Sequence, residues 1–167
     1  MSIILYCEQG HDLSVLDHTR IGHSMSSRVA AAQRQAFQDR MPRQPFCTKC
    51  GKPTIDACRE CNAKISKGAR PSYCGQCGKP FPWTDAALTA ANALAAESEE
   101  LSDLDKANLR ASLPSLTVDT PDTQLAILRF KKIAGKAGPV IGKGIWEIVK
   151  QVAPALVKDA IEGKVGF

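Results

Sequence analysis

Apolar side chains are arranged differently in the two halves of this 167-residue chain. The first half is polar and poor in aromatic bulk. The second half is rich in alanine and leucine, which recur with the period of an amphipathic helix. The pattern predicts a small, loop-rich domain over residues 1–83 and an all-α segment after it. Within that segment we expect a helical hairpin or bundle over 84–137 and a glycine-hinged amphipathic helix over 138–167.

Capping residues and helix breakers give the bounds of the predicted helices. Thr84 or Asp85 is a suitable N-cap for a helix that runs to about residue 97. A second helix is expected over about 103–112, where Pro114 closes it.

The third helix has the clearest start signal, because Thr120 precedes a proline and proline is favoured at the first helical position. We expect this helix over 121–136, with Leu125, Leu128 and Ile133 facing inward. Basic residues are expected on its outward face: Arg129, Lys131 and Lys132.

The strongest amphipathic pattern follows a glycine-rich hinge at 135–144. Seven residues are assigned to this membrane or assembly helix: Ile141, Ile145, Trp146, Ile148, Val149, Val152 and Leu156. Lys143, Glu147 and Lys150 interrupt the run of about 20 apolar residues that a transmembrane span needs. Two interpretations stay open: a core helix of a small bundle, or an interfacial or pore-forming helix that engages a membrane surface through 138–162.

A further helix is predicted over 24–41, inside an insertion at 12–46. Ser26 or Ser27 is a suitable N-cap, and Pro42 ends the helical pattern. The insertion also carries five arginines: Arg20, Arg28, Arg34, Arg40 and Arg43. They fit either an acidic partner, such as nucleic acid, or an ordinary solvated excursion of the chain.

The candidate chemistry lies in the cysteines, all seven of which are in the first half. With one histidine they form four closely spaced pairs: Cys7-x3-His11, Cys47-x2-Cys50, Cys58-x2-Cys61 and Cys74-x2-Cys77. Eight ligands fill two tetrahedral sites, which predicts two structural Zn2+ ions. A disulfide framework would leave one of the seven thiols unpaired. A catalytic zinc site would need an open coordination position, whereas here every position can be filled by a protein ligand.

Consecutive pairs give the simplest assignment of ligands to ions. The first site then holds Cys7, His11, Cys47 and Cys50, and the second holds Cys58, Cys61, Cys74 and Cys77. A crossed arrangement is the alternative. His18 and His23 compete with His11, which is favoured because the Gly10-His11 turn lies beside Cys7.

The residues around the cysteines suit metal-binding turns. The segments 47–53 and 74–80 are near copies, and in each a glycine follows the second cysteine. Gly51, Gly78 and Asn62 are the residue types that best tolerate a positive φ, which turns backbone N–H groups toward thiolates. Three aromatic residues precede cysteines and are expected in the core of the metal domain: Tyr6, Phe46 and Tyr73.

Charge is divided into zones. Residues 1–83 carry 12 basic and 6 acidic residues (+6), 84–128 carry 2 and 8 (−6), and 129–167 carry 8 and 3 (+5). Seven thiolates and two zinc ions would lower the first value to about +3. So modest a basic balance gives weak support for nucleic-acid binding, and solvated surface charge explains it equally well.

Four segments together resemble a bacterial family of uncharacterised proteins that begins with a double zinc ribbon. They are residues 7–11, 46–51, 58–62 and 71–84. The similarity continues through 109–114 and 119–132, whereas the insertion is longer than usual and the last thirty residues are variable. The resemblance implies a cytoplasmic zinc-binding protein and no established activity.

The sequence thus favours a metal-stabilised double zinc ribbon, built of short β-hairpins and knuckles, followed by helices. Signature motifs of triad hydrolases, nucleotide-binding loops and zinc proteases are absent, which predicts a non-enzymatic protein without a small-molecule substrate. The first expectation is an adaptor that binds a protein partner or a second copy of itself. The alternatives are a membrane-acting effector, suited to bacterial defence and membrane-associated on activation, and a nucleic-acid-binding ribbon.

Overall fold

The structure, a computed structural model, describes residues 5–13, 45–65 and 70–163. The chain divides into two compact units, unit 1 (Met1–Arg70) and unit 2 (Pro71–Phe167). The helix predicted over 24–41, its arginines and the competing histidines all lie outside the described residues. The three-domain division expected from the sequence stays a prediction.

The described residues of unit 1 show very little apolar packing. Strand β1 (Tyr6–Cys7) pairs antiparallel with β2 (Thr54–Ile55), with Tyr6 opposite Ile55. A small cluster of buried side chains consists of Cys7, Leu13 and Cys47, with Leu5 against it. So small a cluster supplies little stability, and two of its three buried members, Cys7 and Cys47, are candidate metal ligands.

One aromatic residue predicted in this core is not there. Tyr6 is buried, but Phe46 is 59% exposed. The reason is the alternation of an extended segment: Cys47 turns inward, so the preceding side chain points the other way.

Unit 2 contains five α-helices within the described residues. They are α1 (Pro82–Ala96), α2 (Asp103–Ser112), α3 (Thr123–Lys136), α4 (Gly138–Val149) and α5 (Ala155–Glu162), with a 3-10 helix (Pro114–Leu116) after α2. The bounds of α2 match the prediction, because Ser102 caps it by accepting from Asp105 N–H at 3.1 Å and Pro114 follows it. None of the helices in the described part of the chain is long and apolar enough to cross a membrane.

The predicted N-cap of α1 is wrong. The helix starts at Pro82 with Phe81 as the N-cap residue, which lies three residues before Thr84 and four before Asp85. Proline is well suited to the first turn because its missing N–H would have no helical partner there. Thr84 is buried inside the first turn, and its hydroxyl donates to the carbonyl oxygen of Ser72 at 2.7 Å.

The predicted inward face of α3 is also wrong in part. Ile133 is buried as expected, but Leu125 is 48% and Leu128 is 65% exposed. The face that packs inward holds Thr123, Ala126, Ile127, Phe130, Ile133 and Ala134. Burying the ring of Phe130 removes more apolar surface from water than burying a leucine, which decides the rotation of the helix. The helix starts at Thr123, whose hydroxyl accepts from Thr120 N–H at 2.9 Å, so Thr120 is not the N-cap.

The single C-terminal helix expected from the sequence is two helices. Helix α4 ends at Val149 and α5 begins at Ala155, after a turn over 150–154 in which Pro154 is the N-cap residue of α5. A proline in a continuous helix would remove a hydrogen bond and clash with the preceding turn, which explains the break.

Most of the face assigned to that helix lies in the core of unit 2. Ile145, Trp146, Val149 and Val152 are buried, Ile141 and Ile148 are partly buried against the core, and Leu156 is 45% exposed. The ring of Trp146 lies 5.9 Å from that of Phe130, centroid to centroid. In this structure the residues therefore pack the helical unit, as the bundle interpretation expects.

Gly142 permits α4 to approach α3 closely. A Cβ at this position would lie 2.6 Å from the carbonyl oxygen of Ala134, closer than any real contact. The rigid backbone of α3 cannot yield as the end of a side chain could, so only glycine fits here.

We expect Gly142→Ala to destabilise unit 2 by about 1–3 kcal/mol, because the added methyl group forces the two helices apart. Gly135→Ala is the matched control: this glycine is also helical, but a Cβ there meets nothing within 4 Å. The control should be neutral or stabilise by up to about 1 kcal/mol. Urea unfolding followed by tryptophan fluorescence measures both, and equal effects of the two substitutions would contradict the packing account.

Candidate metal centres

The eight candidate ligands lie in two clusters. The first cluster is Cys7, His11, Cys47 and Cys50, and the second cluster is Cys58, Cys61, Cys74 and Cys77. Within each, the ligand atoms all lie within 4.8 Å of one another. The grouping is the consecutive one, and each cluster can hold one metal ion.

The spacing within the first cluster fits zinc. Cys7 Sγ lies 3.7 Å from Cys50 Sγ and 3.4 Å from His11 Nδ1, and Cys47 Sγ lies 3.6 Å from the same nitrogen. Zn–S bonds of about 2.3 Å and Zn–N bonds of about 2.0 Å, arranged tetrahedrally, require edges of roughly 3.5–3.8 Å. These distances are those of ligands around a common ion, with Nδ1 as the coordinating nitrogen.

The three C-x2-C pairs are built by the same backbone turn. The N–H of Cys47 donates to Lys52 O, and that of Cys74 donates to Lys79 O, both at 2.8 Å. Cys58 repeats the pattern with Ala63 O at 2.8 Å. Each turn is closed by an isolated β-bridge between the flanking arms: Phe46 with Pro53, Ala57 with Lys64 and Tyr73 with Pro80. The near-copy sequences thus fold into near-copy knuckles.

Positive φ angles occur where the sequence predicts them. Gly51 has φ 70°, Gly78 has φ 71°, and Asn62 has φ 58° and is the only non-glycine with positive φ among the described residues. At each of these positions the backbone N–H donates to the carbonyl oxygen of the first cysteine of the pair, at 2.8–2.9 Å. The residue after the second cysteine therefore closes the knuckle.

Backbone N–H groups also point at the thiols. Lys49 N–H donates to Cys47 Sγ, and Gln76 N–H donates to Cys74 Sγ, both at 3.4 Å. Burial acts to raise the pKa of the Cys47 thiol, but hydrogen bonds from the N–H groups of Lys49 and Cys50 outweigh it, and the pKa is lowered to about 6. Cys47 is thus prepared as a thiolate ligand near neutral pH.

The pKa of the Cys7 thiol is shifted in the opposite direction, because burial raises it. A buried thiol of this kind becomes a thiolate only when a cation replaces its proton. His11 N–H donates to its Sγ at 3.3 Å, which orients the sulfur toward the other ligands.

Arg70 supports the first cluster and was not found from the sequence. Its guanidinium donates to the carbonyl oxygen of Gly10 at 2.7 Å and so holds the turn between Cys7 and His11. Burial lowers the pKa of Arg70. Arg59 forms an ion pair with Glu8 in the same turn. No periodicity or motif links residues sixty positions apart, so the sequence carries no signal for this contact.

One comparison with known proteins gives a match. A family model described as "Uncharacterized protein conserved in bacteria (DUF2321)" matches residues 19–161. The matched range includes Cys47, Cys50 and the whole second cluster, while Cys7 and His11 precede it. No curated protein and no solved structure matches the chain.

Gly78→Ala should weaken zinc binding, because an L-residue with a side chain pays about 1–2 kcal/mol for the left-handed backbone conformation. The expected loss in affinity is roughly five- to thirtyfold, measured by competition with a chromophoric chelator. Gly75→Ala is the control in the same knuckle, since that glycine has no positive φ and a Cβ there meets nothing within 4 Å. Gly78→Asn should recover most of the affinity, and a loss as large as that of alanine would refute the backbone explanation.

Proposed function

The chain belongs to this bacterial family, and we propose that it is a non-enzymatic zinc-ribbon adaptor. Two structural Zn2+ ions hold the ribbon in shape, the ribbon presents a binding surface, and the helices mediate assembly. The observation that carries the proposal is that each cluster offers four protein ligands to its ion. Catalytic zinc sites keep three protein ligands and an open position, and here no position is left for a substrate or a water.

Zinc would supply folding energy to this protein rather than chemistry. The first ion would be held by three thiolates and an imidazole, and the second by four thiolates. Because the described residues of unit 1 include so few buried apolar side chains, we expect the metal–ligand bonds to be the main source of order in that part of the chain. A surface fixed by metal is rigid, which lowers the entropy cost of binding a partner.

An exposed aromatic ring beside the first cluster supports a protein partner. Phe46 is next to Cys47 in sequence and is 59% exposed, the only aromatic among the large exposed apolar residues described. Exposed aromatic side chains on rigid supports are common anchors of protein interfaces. The partner is a second copy of the chain or a different protein.

The alternatives have less support. A membrane-acting role would require the face around Trp146 to leave the core of unit 2, where it is buried. Nucleic-acid binding rests on the modest basic balance and on the arginines of the 12–46 insertion. Binding of anionic vesicles, or of nucleic acid with a steep loss of affinity between about 50 and 200 mM salt, would replace the adaptor proposal.

Replacement of the metal by Co2+ tests whether the sites are closed. We expect two equivalents per chain and an absorption spectrum of tetrahedral, thiolate-rich cobalt that azide and imidazole leave unchanged, because no coordination position is free. Cys50→Ser and Cys77→Ser, which lie in matching knuckles, should each change the absorption of one of the two bound Co2+ ions. A spectral shift of the unsubstituted protein on addition of azide would indicate an open site and contradict the structural role.

The binding surface is tested by capture of cross-linked partners from bacterial cells. Phe46→Ser should lose specific partners that the unsubstituted chain retains, because the aromatic anchor is gone. Val140→Ser, at a position that is 83% exposed in unit 2, is the matched control and should retain them. Unchanged capture by Phe46→Ser would show that this surface is not the one used.

A further inference from the structure

Three residues just before Cys74 make hydrogen bonds to three distant parts of unit 2. We call residues 71–73 the anchor arm. At its start, the indole N–H of Trp83 donates to Pro71 O at 2.8 Å, and the hydroxyl of Thr84 donates to Ser72 O at 2.7 Å. Both donors belong to the first turn of α1, and both are buried.

The anchor arm also holds the turn between α4 and α5. Ser72 Oγ donates to Val152 O at 2.8 Å, across 80 positions of sequence. Val152 is buried in that turn, where its carbonyl oxygen needs a partner. In addition, the hydroxyl of Tyr73 lies 2.7 Å from Thr117 Oγ1, just after the 3-10 helix.

The anchor arm is one side of the knuckle that carries two ligands of the second cluster. Phe81 N–H donates to Ser72 O at 3.0 Å, and Cys74 N–H donates to Lys79 O at 2.8 Å, so the two sides of the knuckle are paired. A metal ion on Cys74 and Cys77 fixes the turn that joins them. Without the ion, short pairing of this kind is marginal in water.

Helix α5 depends on being packed. It has only eight residues, Ala155–Glu162, which is too short to persist as an isolated helix. Val157 and Ile161 are fully buried in the core of unit 2. Its end is held by Lys131, which donates to Ala160 O at 2.7 Å, and by an ion pair between Lys150 and Glu162. Its first residue follows the turn in which the carbonyl oxygen of Val152 accepts a hydrogen bond from Ser72.

We infer that metal occupancy of the second cluster controls whether the α4–α5 turn and α5 stay packed, with the Ser72–Val152 hydrogen bond as the connection. The inference rests on the proposed structural zinc. Release of the ion loosens the anchor arm, the turn loses its partner, and α5 opens more often. Each opening exposes Val157 and Ile161, which are fully buried in the packed state.

Hydrogen–deuterium exchange of the full chain, read on peptides over 150–163, tests the inference. Ser72→Ala should speed exchange there about fivefold, the equivalent of one lost hydrogen bond. Ser98→Ala is its control, because Ser98 Oγ is buried without a hydrogen-bond partner among the described residues. Equal exchange over 150–163 in the two variants would overturn the connection.

The metal dependence is tested with two matched double variants. Cys74→Ser with Cys77→Ser should speed exchange over 150–163 at least as much as Ser72→Ala, whereas Cys47→Ser with Cys50→Ser should leave it unchanged. If the ligand variants fail to fold, a zinc chelator provides the same test. Chelation should speed exchange over 150–163 in the Ser98→Ala variant. It should speed exchange much less in the Ser72→Ala variant, which already lacks the connecting hydrogen bond.

Zinc content measured on the same samples separates the two proposals. Loss of one equivalent from the Cys74 and Cys77 variant with unchanged exchange over 150–163 would overturn the inference and leave the structural zinc intact. An unsubstituted chain that is folded and holds no zinc would overturn both.

Discussion

Sulfur and nitrogen atoms gathered within 4.8 Å of one another are the constraint on which the structure of unit 1 depends. Three or four thiolates cannot share so small a space without a cation among them, because their mutual repulsion is only weakly screened away from water. The chain nevertheless brings them together by hydrogen-bonded turns that leave no freedom to separate. Such an arrangement is stable only as a metal site or as protonated thiols, and the distances within the first cluster match those of ligands around one ion.

The two units are stabilised by different interactions. Unit 2 buries the rings of Trp146 and Phe130 and a set of small residues that allow its helices to lie close together. The described part of unit 1 has only a small cluster of buried side chains and relies on local turns, each built on one pair of ligands. Its fold is therefore expected to respond to metal concentration, while in unit 2 the metal acts on the anchor arm and α5 and packing holds the other helices.

The grouping of the eight cysteine and histidine side chains into two clusters could be predicted from the sequence, because the spacing within each pair is local. The turns that hold each pair are also set by a few neighbouring residues. At Asn62, for example, the sequence predicts a left-handed backbone conformation, and the structure has it. Two of the failures depend on tertiary context, whereas the division at Pro154 has a local cause in the proline itself. Leucines on α3 lost the inward face to Phe130, Thr84 was drawn inside by a distant carbonyl, and a single helix was divided at Pro154.

The contact between Ser72 and Val152 has a consequence for synthesis. Ser72 leaves the ribosome long before Val152, which is synthesised 80 residues later. At roughly 5–20 residues per second, the knuckle spends several seconds outside the ribosome before its distant partner exists. During that interval the Cys74–Cys77 turn must persist without the support of α5, and early capture of a metal ion would protect it. The order of translation therefore favours metallation before the helical unit closes.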